Sequence, residues 1–90
     1  MTKQEVIQVI KSNIVDNLDD IEEGAIDVSK SMKDYGANSL DIIEVVSSSM
    51  RELNIKIPRS ELADITTIDQ LADRFMQYVN RPPEASGSSN

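Results

Sequence analysis

The 90-residue chain carries nine Lys or Arg against sixteen Asp or Glu, a formal net charge of −7, and it contains no Cys, His or Trp. A chain of this length builds one small domain, and without Cys or His it has no thiol nucleophile, imidazole base, disulfide, or thiolate or imidazole zinc site. The acidity argues against a nucleic-acid partner, which requires a basic patch, and favours protein partners with basic faces.

The N-terminal residues lack the basic segment followed by an apolar run that marks a signal peptide. No apolar stretch is long enough to span a membrane. Together with the absence of Cys, these features predict a cytoplasmic protein that does not bind membranes.

The first predicted helix runs from Thr2 to Leu18. Thr2 and Glu5 have the spacing of a capping box, in which the two side chains bind each other's free backbone amides. Apolar residues then recur about every four positions, which is the period of one buried helical face; they are Val6, Ile10, Ile14 and Leu18.

The segment from Asp19 to Asn38 is acidic, and its apolar residues follow no regular period. We expect a long loop, with at most a short helical turn, that its apolar side chains hold to the core; loops of this length are often functional. A calcium loop starting at Asp19 would place Gly24 correctly at position six but fails at position three, Ile21, and at position twelve, Lys30. A solvated acidic loop therefore fits better than a calcium site.

Two further helices follow the loop. Ser39 to Leu53 is the second predicted helix, with Asn38 or Ser39 as its cap. Ser60 to Asp64 is at most a short helical turn, and Thr67 to Val79 is the last helix, opened by a second capping-box spacing with Gln70.

The fold class predicted by this pattern is all-α: a small bundle of three main helices plus one short helix, with a long loop between helices one and two. Residues 1–80 form the helical domain. Residues 81–90 are expected to be a disordered polar tail, because Arg81-Pro82-Pro83 ends the last helix and only small or polar residues follow.

The negative charge is concentrated in the long loop and the start of the second helix, and that helix is also unusually apolar. Nine of the sixteen acids but only two of the nine bases lie between Asp16 and Glu44, so this window carries the whole net charge. The apolar positions of the second helix span an arc of about 220°, more than the roughly 100° that a surface helix needs. The helix is therefore nearly fully buried, dimeric, or exposed along one edge for partners, and periodicity does not choose among these.

The segment from Asp34 to Asp41, with the sequence DYGANSLD, resembles the phosphopantetheine attachment motif of acyl carrier proteins. The resemblance extends from about Lys3 to Val79. It includes the helix pattern after the motif, Ile57-Pro58 at the family's distance from the serine, and the approach to the last helix from Asp64 to Ile68.

This resemblance implies an acyl carrier protein, without enzymatic activity of its own, that presents acyl groups as thioesters for polyketide or fatty acid synthesis. A phosphopantetheinyl transferase would move 4'-phosphopantetheine from coenzyme A onto the Ser39 hydroxyl. The carrier would act as a monomer. Its other partners would be acyltransferase, ketosynthase and further synthase enzymes with basic docking faces. Outside the motif, the ordinary role of a serine in this position is to cap the helix.

The resemblance also implies which residues meet partner enzymes: Asn38, Leu40, Asp41, Ile43 and Glu44. Leu40 and Ile43 would be exposed, although core packing remains an alternative for Ile43. The residues that would turn inward are Ile42, Val45, Val46 and Leu53.

Several residues depart from the family pattern. Asn38 replaces the usual Asp, and Ser47 stands where carriers of fatty acid synthesis usually have a large apolar partner contact. Met50 and Arg51 stand where acids are common in those carriers, so the second helix is less acidic. Ser49 would point inward, its hydroxyl bonding a carbonyl one turn back. These departures favour a specialised carrier of polyketide type. The alternatives are a peptidyl or aminoacyl carrier with the same arm, and a helical interaction module in which Ser39 is unmodified.

Overall fold

The computed structural model describes residues 2–18 and 20–79, which form three α-helices and no β-strand. The helices are α1 (Lys3–Asn17), α2 (Ser39–Leu53) and α3 (Ile68–Val79), and single 3-10 turns occupy Glu23–Ala25, Met32–Tyr35 and Arg59–Glu61. The predicted all-α bundle is confirmed, and its short helix is the last of these turns. Within the described residues, no helix is long and apolar enough to cross a membrane. The predicted tail, residues 81–90, lies outside the described residues.

Capping boxes start the first and last helices, as their spacings predict. The Glu5 amide donates to the Thr2 hydroxyl over 3.2 Å, and the Thr2 amide donates to the Glu5 carboxylate over 2.8 Å. At α3, the Gln70 amide donates to the Thr67 hydroxyl over 3.1 Å and the Gln70 side chain accepts from the Thr67 amide. Each box satisfies amides that the helix itself leaves without an acceptor.

The core lies where α1 packs against both α2 and α3. Its centre is formed by fully buried side chains from all three helices, which include Val6, Ile10, Ile14, Val45, Ile68 and Phe75. Burial of this apolar surface is the main force that holds the bundle together.

The long loop is held to the core by side chains and by its backbone. Ile26 and Met32 are buried, as expected for a loop anchored by its apolar residues. The carbonyl oxygens of Val28 and Lys30 accept hydrogen bonds from the Asp69 and Ile68 amides at distances of 2.8 and 3.0 Å. These amides begin α3 and have no acceptor inside it, so the loop stabilises the start of the helix.

A buried polar contact joins α1 to α2. The Asn13 side-chain amide donates to the Val9 carbonyl over 2.9 Å, and to the Ser49 hydroxyl and the Glu52 carboxylate over 3.2 Å each. The prediction that Ser49 is buried is confirmed. The prediction that its hydroxyl bonds a carbonyl of its own helix is wrong, because its recorded partner is Asn13 on the neighbouring helix, which the local helical pattern does not reveal.

Replacing Asn13 by alanine should destabilise the protein by about 1–3 kcal/mol, because the substitution leaves the buried Ser49 hydroxyl without a partner. Urea unfolding followed by circular dichroism measures this cost. Gln8→Ala, at an exposed position of the same helix, is the matched control. Equal free energies of unfolding for the two variants would show that the interhelical hydrogen bonds contribute nothing.

Candidate functional site

The start of α2 is capped by Asn38 rather than by Ser39. The Asn38 side-chain oxygen accepts from the Asp41 amide over 2.9 Å, and the Asp41 carboxylate accepts from the Asn38 amide over 3.1 Å. This reciprocal pair is a capping box with Asn in the first position. Of the two residues predicted as caps, the structure assigns the role to Asn38.

Ser39 is therefore the first residue of α2 without being its cap. Its side chain is exposed, and no hydrogen bond to its hydroxyl is recorded within the described part of the chain. The ordinary role of a serine before an apolar helix is thus already filled by its neighbour. The hydroxyl of Ser39 remains accessible to a reagent from solvent.

The backbone around Ser39 suits a covalently attached anion. The amides of Asn38 and Asp41 each donate to the other residue's side-chain oxygen in the capping box. Among residues 2–18 and 20–79, no acceptor is recorded for the amides of Ser39 and Leu40. Free amides at a helix N-terminus and the helix dipole both favour a negative group there. A phosphodiester on Ser39 would therefore fit the residues present.

Gly36 turns the chain outward just before this site. It ends the 3-10 turn Met32–Tyr35 with a positive φ of 89°, a conformation that favours glycine. The next residue, Ala37, is buried and anchors the segment. Because Asn38, Ser39 and Leu40 then face solvent, the turn presents the serine at the surface on a fixed support.

Tyr35 holds the two halves of the long loop together beside this turn. Its hydroxyl accepts a hydrogen bond from the Asp27 amide and lies 3.5 Å from the carbonyl oxygens of Ala25 and Asp27. The Asp27 carboxylate accepts hydrogen bonds from the hydroxyl and the amide of Ser29. The hydroxyl bond, followed by the amide bond, keeps the pKa of Asp27 below its ordinary value. Asp27 therefore stays ionised at neutral pH and adds to the negative field of the loop.

The rotation of α2 agrees with the one that the resemblance implies. Leu40 and Ile43 are 74% and 43% exposed, and Glu44 is exposed beside them. The residues expected to turn inward are buried or half-buried against the core: Ile42, Val45, Val46 and Leu53. Core packing of Ile43, the alternative, is therefore wrong. Asp41 is half-buried, with its carboxylate engaged in the capping box.

A cavity of about 230 Å³ lies on the inner side of α2. Its apolar lining includes Ile42 and Val46 on α2, Leu62 and Ile65 in the connection to α3, and Leu71 on α3. The lining also includes the polar or charged residues Ser31, Lys33, Thr66 and Thr67. Ile42 follows Ser39 by three residues, so the two side chains are neighbours on the helix surface.

Sequence reasoning did not identify this cavity, because its lining comes from segments that are far apart in the chain. Nor does the described part of the chain bring three His, Cys, Asp or Glu side chains together as a metal site. The chemical groups available at this surface are one accessible hydroxyl, two free amides, two exposed apolar side chains and several carboxylates.

Comparison with known proteins adds sequence and structural relatives. The sequence profile of the family described as "Phosphopantetheine attachment site" matches residues 8–75. The chain is 30% identical over 79 residues to the polyketide biosynthesis acyl-carrier-protein AcpK of Bacillus subtilis, covering 88% of this chain and 96% of AcpK. It is 34% identical over 91 residues to an acyl carrier protein of Cyanidioschyzon merolae, covering 100% of this chain and 99% of that protein.

A solved structure is also similar. It is the crystal structure of the HMG synthase of the curacin biosynthetic pathway in complex with its acetyl donor-ACP. The superposition has a TM-score of 0.76 with 32% sequence identity, and it covers 83% of this chain and 96% of the matched chain.

Proposed function

Because this chain belongs to the acyl carrier protein family, we propose that Ser39 is the residue that carries its 4'-phosphopantetheine arm. The protein is a carrier and not an enzyme: the arm ends in a thiol, which presents acyl groups as thioesters. The observation that carries the proposal is the accessible hydroxyl of Ser39, which the Asn38 cap leaves free at the start of α2.

The chain's own residues contribute presentation and electrostatic stabilisation. Gly36 and Ala37 position the exposed serine, and the amides of Ser39 and Leu40 offer hydrogen bonds to the phosphate. A phosphopantetheinyl transferase would supply the arm from coenzyme A. The cavity beside Ile42 and Val46 would shelter the acyl group between transfers.

Intact-protein mass spectrometry tests the attachment site. The purified chain is incubated with coenzyme A and a promiscuous phosphopantetheinyl transferase, and the product is digested and fragmented. We expect one phosphopantetheine per chain, on the peptide that contains Ser39. Addition to a peptide without Ser39 would contradict the proposed site.

Failure of the wild type to react has a specific alternative explanation, since Asn38 stands where the family usually has Asp. Modification of Asn38→Asp but not of the wild type would show that the transferase requires this carboxylate. Failure of both proteins would favour the helical interaction module.

We further propose that partner enzymes dock on the exposed edge of α2. Leu40 and Ile43 supply apolar contacts, with Asn38 and Asp41 beside them, and Glu44 supplies a charge for basic partner faces. The complex of a similar carrier with HMG synthase supports a synthase as one such partner. Leu40 and Ile43 are the two large hydrophobic side chains recorded as exposed among the described residues. Two such side chains make a small apolar surface compared with the area that a stable dimer buries, which supports the proposal of a monomer.

Reversing the charge at this edge should slow partner enzymes more than it changes stability. For Glu44→Lys we expect kcat/KM of the transferase to fall by roughly tenfold at low salt, because a steering charge mainly affects the association rate. Kinetics at two ionic strengths measure the effect, which salt should reduce. Glu22→Lys, an exposed loop position with the same change in net charge, is the control; equal rates for both variants would contradict docking at Glu44.

The pathway is a further part of this proposal. Of the relatives described above, one is named for polyketide biosynthesis and the other is named only acyl carrier protein. The uncharged Asn38, the small polar Ser47 in place of a large apolar contact, and the basic Arg51 support a polyketide-type carrier. The cytoplasmic location remains a prediction from the sequence.

A further inference from the structure

One wall of the cavity comes from the connection between α2 and α3. This connection contains the 3-10 turn Arg59–Glu61, and Leu62 and Ile65 follow the turn and line the cavity. We call residues 59–65 the wall segment. The α2 side chains of Ile42 and Val46 line the same cavity.

The wall segment is fastened to α3 through Glu61. The Arg74 guanidinium donates to the backbone oxygen of Glu61, and its Nη1 lies 3.7 Å from the Glu61 Oε1. The Tyr78 hydroxyl donates to the other carboxylate oxygen of Glu61. Arg74 also approaches Asp64, with 3.9 Å between its Nη2 and the Asp64 Oδ2. We call Glu61, Arg74 and Tyr78 the Glu61 clasp.

Apart from this clasp, the hydrogen bonds of the wall segment are mostly local. The Glu61, Leu62 and Ile65 amides each donate to a carbonyl three residues earlier, at distances of 3.0 to 3.3 Å. Such bonds shape the segment but do not attach it to the bundle. Leu62 and Ile65 are only half-buried, so their packing alone holds the segment weakly. The Arg74 side chain is 24% exposed, and this partial shielding strengthens its interaction with Glu61.

We propose that the Glu61 clasp limits the cavity to short acyl groups, an inference that rests on the proposed carrier function. The cavity volume of about 230 Å³ lies below the roughly 300–1,000 Å³ of typical small-molecule pockets. The preferred cargo is therefore a short acyl group. Longer chains require the wall segment to move away from α2, and the clasp opposes this movement.

The first test uses the protein without its arm. Amide hydrogen exchange of residues 59–65 is compared in the wild type, Arg74→Ala and Tyr78→Phe. Loss of a hydrogen bond to a charged group corresponds to about a tenfold faster opening, so we expect roughly tenfold faster exchange in Arg74→Ala. Tyr78→Phe removes one hydroxyl and should have a smaller effect in the same direction. Unchanged exchange in both variants would overturn the clasp.

The second test measures chain-length selectivity. The full chain is loaded with acetyl, octanoyl or dodecanoyl pantetheine arms from the corresponding coenzyme A thioesters, and cleavage by hydroxylamine is timed. We expect the wild type to protect the octanoyl group several-fold better than the dodecanoyl group. In Arg74→Ala the difference should shrink, because the freed wall segment admits the longer chain.

Lys3→Ala is the matched control for both tests. The Lys3 Nζ lies 2.8 Å from a carboxylate oxygen of Asp69 and 2.9 Å from one of Asp73, both on α3. Its removal therefore deletes two ion pairs of the same helix that do not involve the wall segment. The control should exchange and protect as the wild type does. Normal loading with the same chain-length profile in Arg74→Ala and the wild type would overturn the inference but leave the carrier function intact. Failure of every protein to load would instead contradict the attachment at Ser39, and the exchange experiment would still decide on the clasp.

Discussion

Ser39→Ala should abolish phosphopantetheine addition completely while leaving the fold intact. The substitution removes the hydroxyl to which the arm would be attached, and the exposed side chain makes no recorded hydrogen bond within the described residues. The Asn38 capping box remains, and alanine is well tolerated in the first turn of a helix. The free energy of unfolding should therefore stay within about 0.5 kcal/mol of the wild type.

Intact mass after transferase treatment and a thermal unfolding curve measure the two expectations. Ser60→Ala, an exposed serine that follows α2, is the control and should accept the arm normally. Addition of an arm to Ser39→Ala would refute the site. Unfolding of this variant would show that Ser39 has a structural role that the capping geometry does not indicate.

Phe75→Ala should remove a large part of the protein's stability. Phe75 is the only phenylalanine of the chain, and its side chain is fully buried between the helices. Truncation of a buried Phe costs about 3–5 kcal/mol, because apolar burial is lost and a void remains. Domains of this kind are stable by only about 5–15 kcal/mol in total.

Urea unfolding followed by circular dichroism checks this expectation. Phe75→Leu keeps most of the buried volume and should cost much less, and Gln77→Ala, at an exposed position of α3, should be nearly neutral. A loss from Phe75→Ala that is no larger than that from Gln77→Ala would mean that the helices do not pack as the structure shows. The unfolding curve also separates lost folding, expected for Phe75→Ala, from lost attachment chemistry, expected for Ser39→Ala.

Local signals in the sequence explain the parts of the fold that were predicted well. The bounds of α2 agree exactly with the prediction from Ser39 to Leu53, and α1 and α3 differ only by their flanking cap residues. Apolar spacing and capping boxes act within three or four residues of the chain, so they can be recognised without knowing the tertiary structure. The motif around Ser39 is likewise contiguous.

The choice between Asn38 and Ser39 as the cap required the structure. Both residue types are good caps, and the sequence leaves them equivalent. Only the hydrogen bonds between Asn38 and Asp41 show that Ser39 is released from this role. This difference changes the reading of Ser39 from a structural residue to an accessible hydroxyl.

The sequence by itself thus determined the helices, the acidic loop, the absence of thiol and imidazole chemistry, and the segment that carries the candidate serine. Only the tertiary structure decided which edge of the apolar α2 faces solvent, that Asn13 pairs with Ser49, and that Glu61 is clasped to α3. The physical reason is the separation along the chain between the residues that interact. Helical periodicity and capping depend on neighbours along the chain, whereas side-chain exposure, interhelical hydrogen bonds and cavities depend on which distant segments pack together.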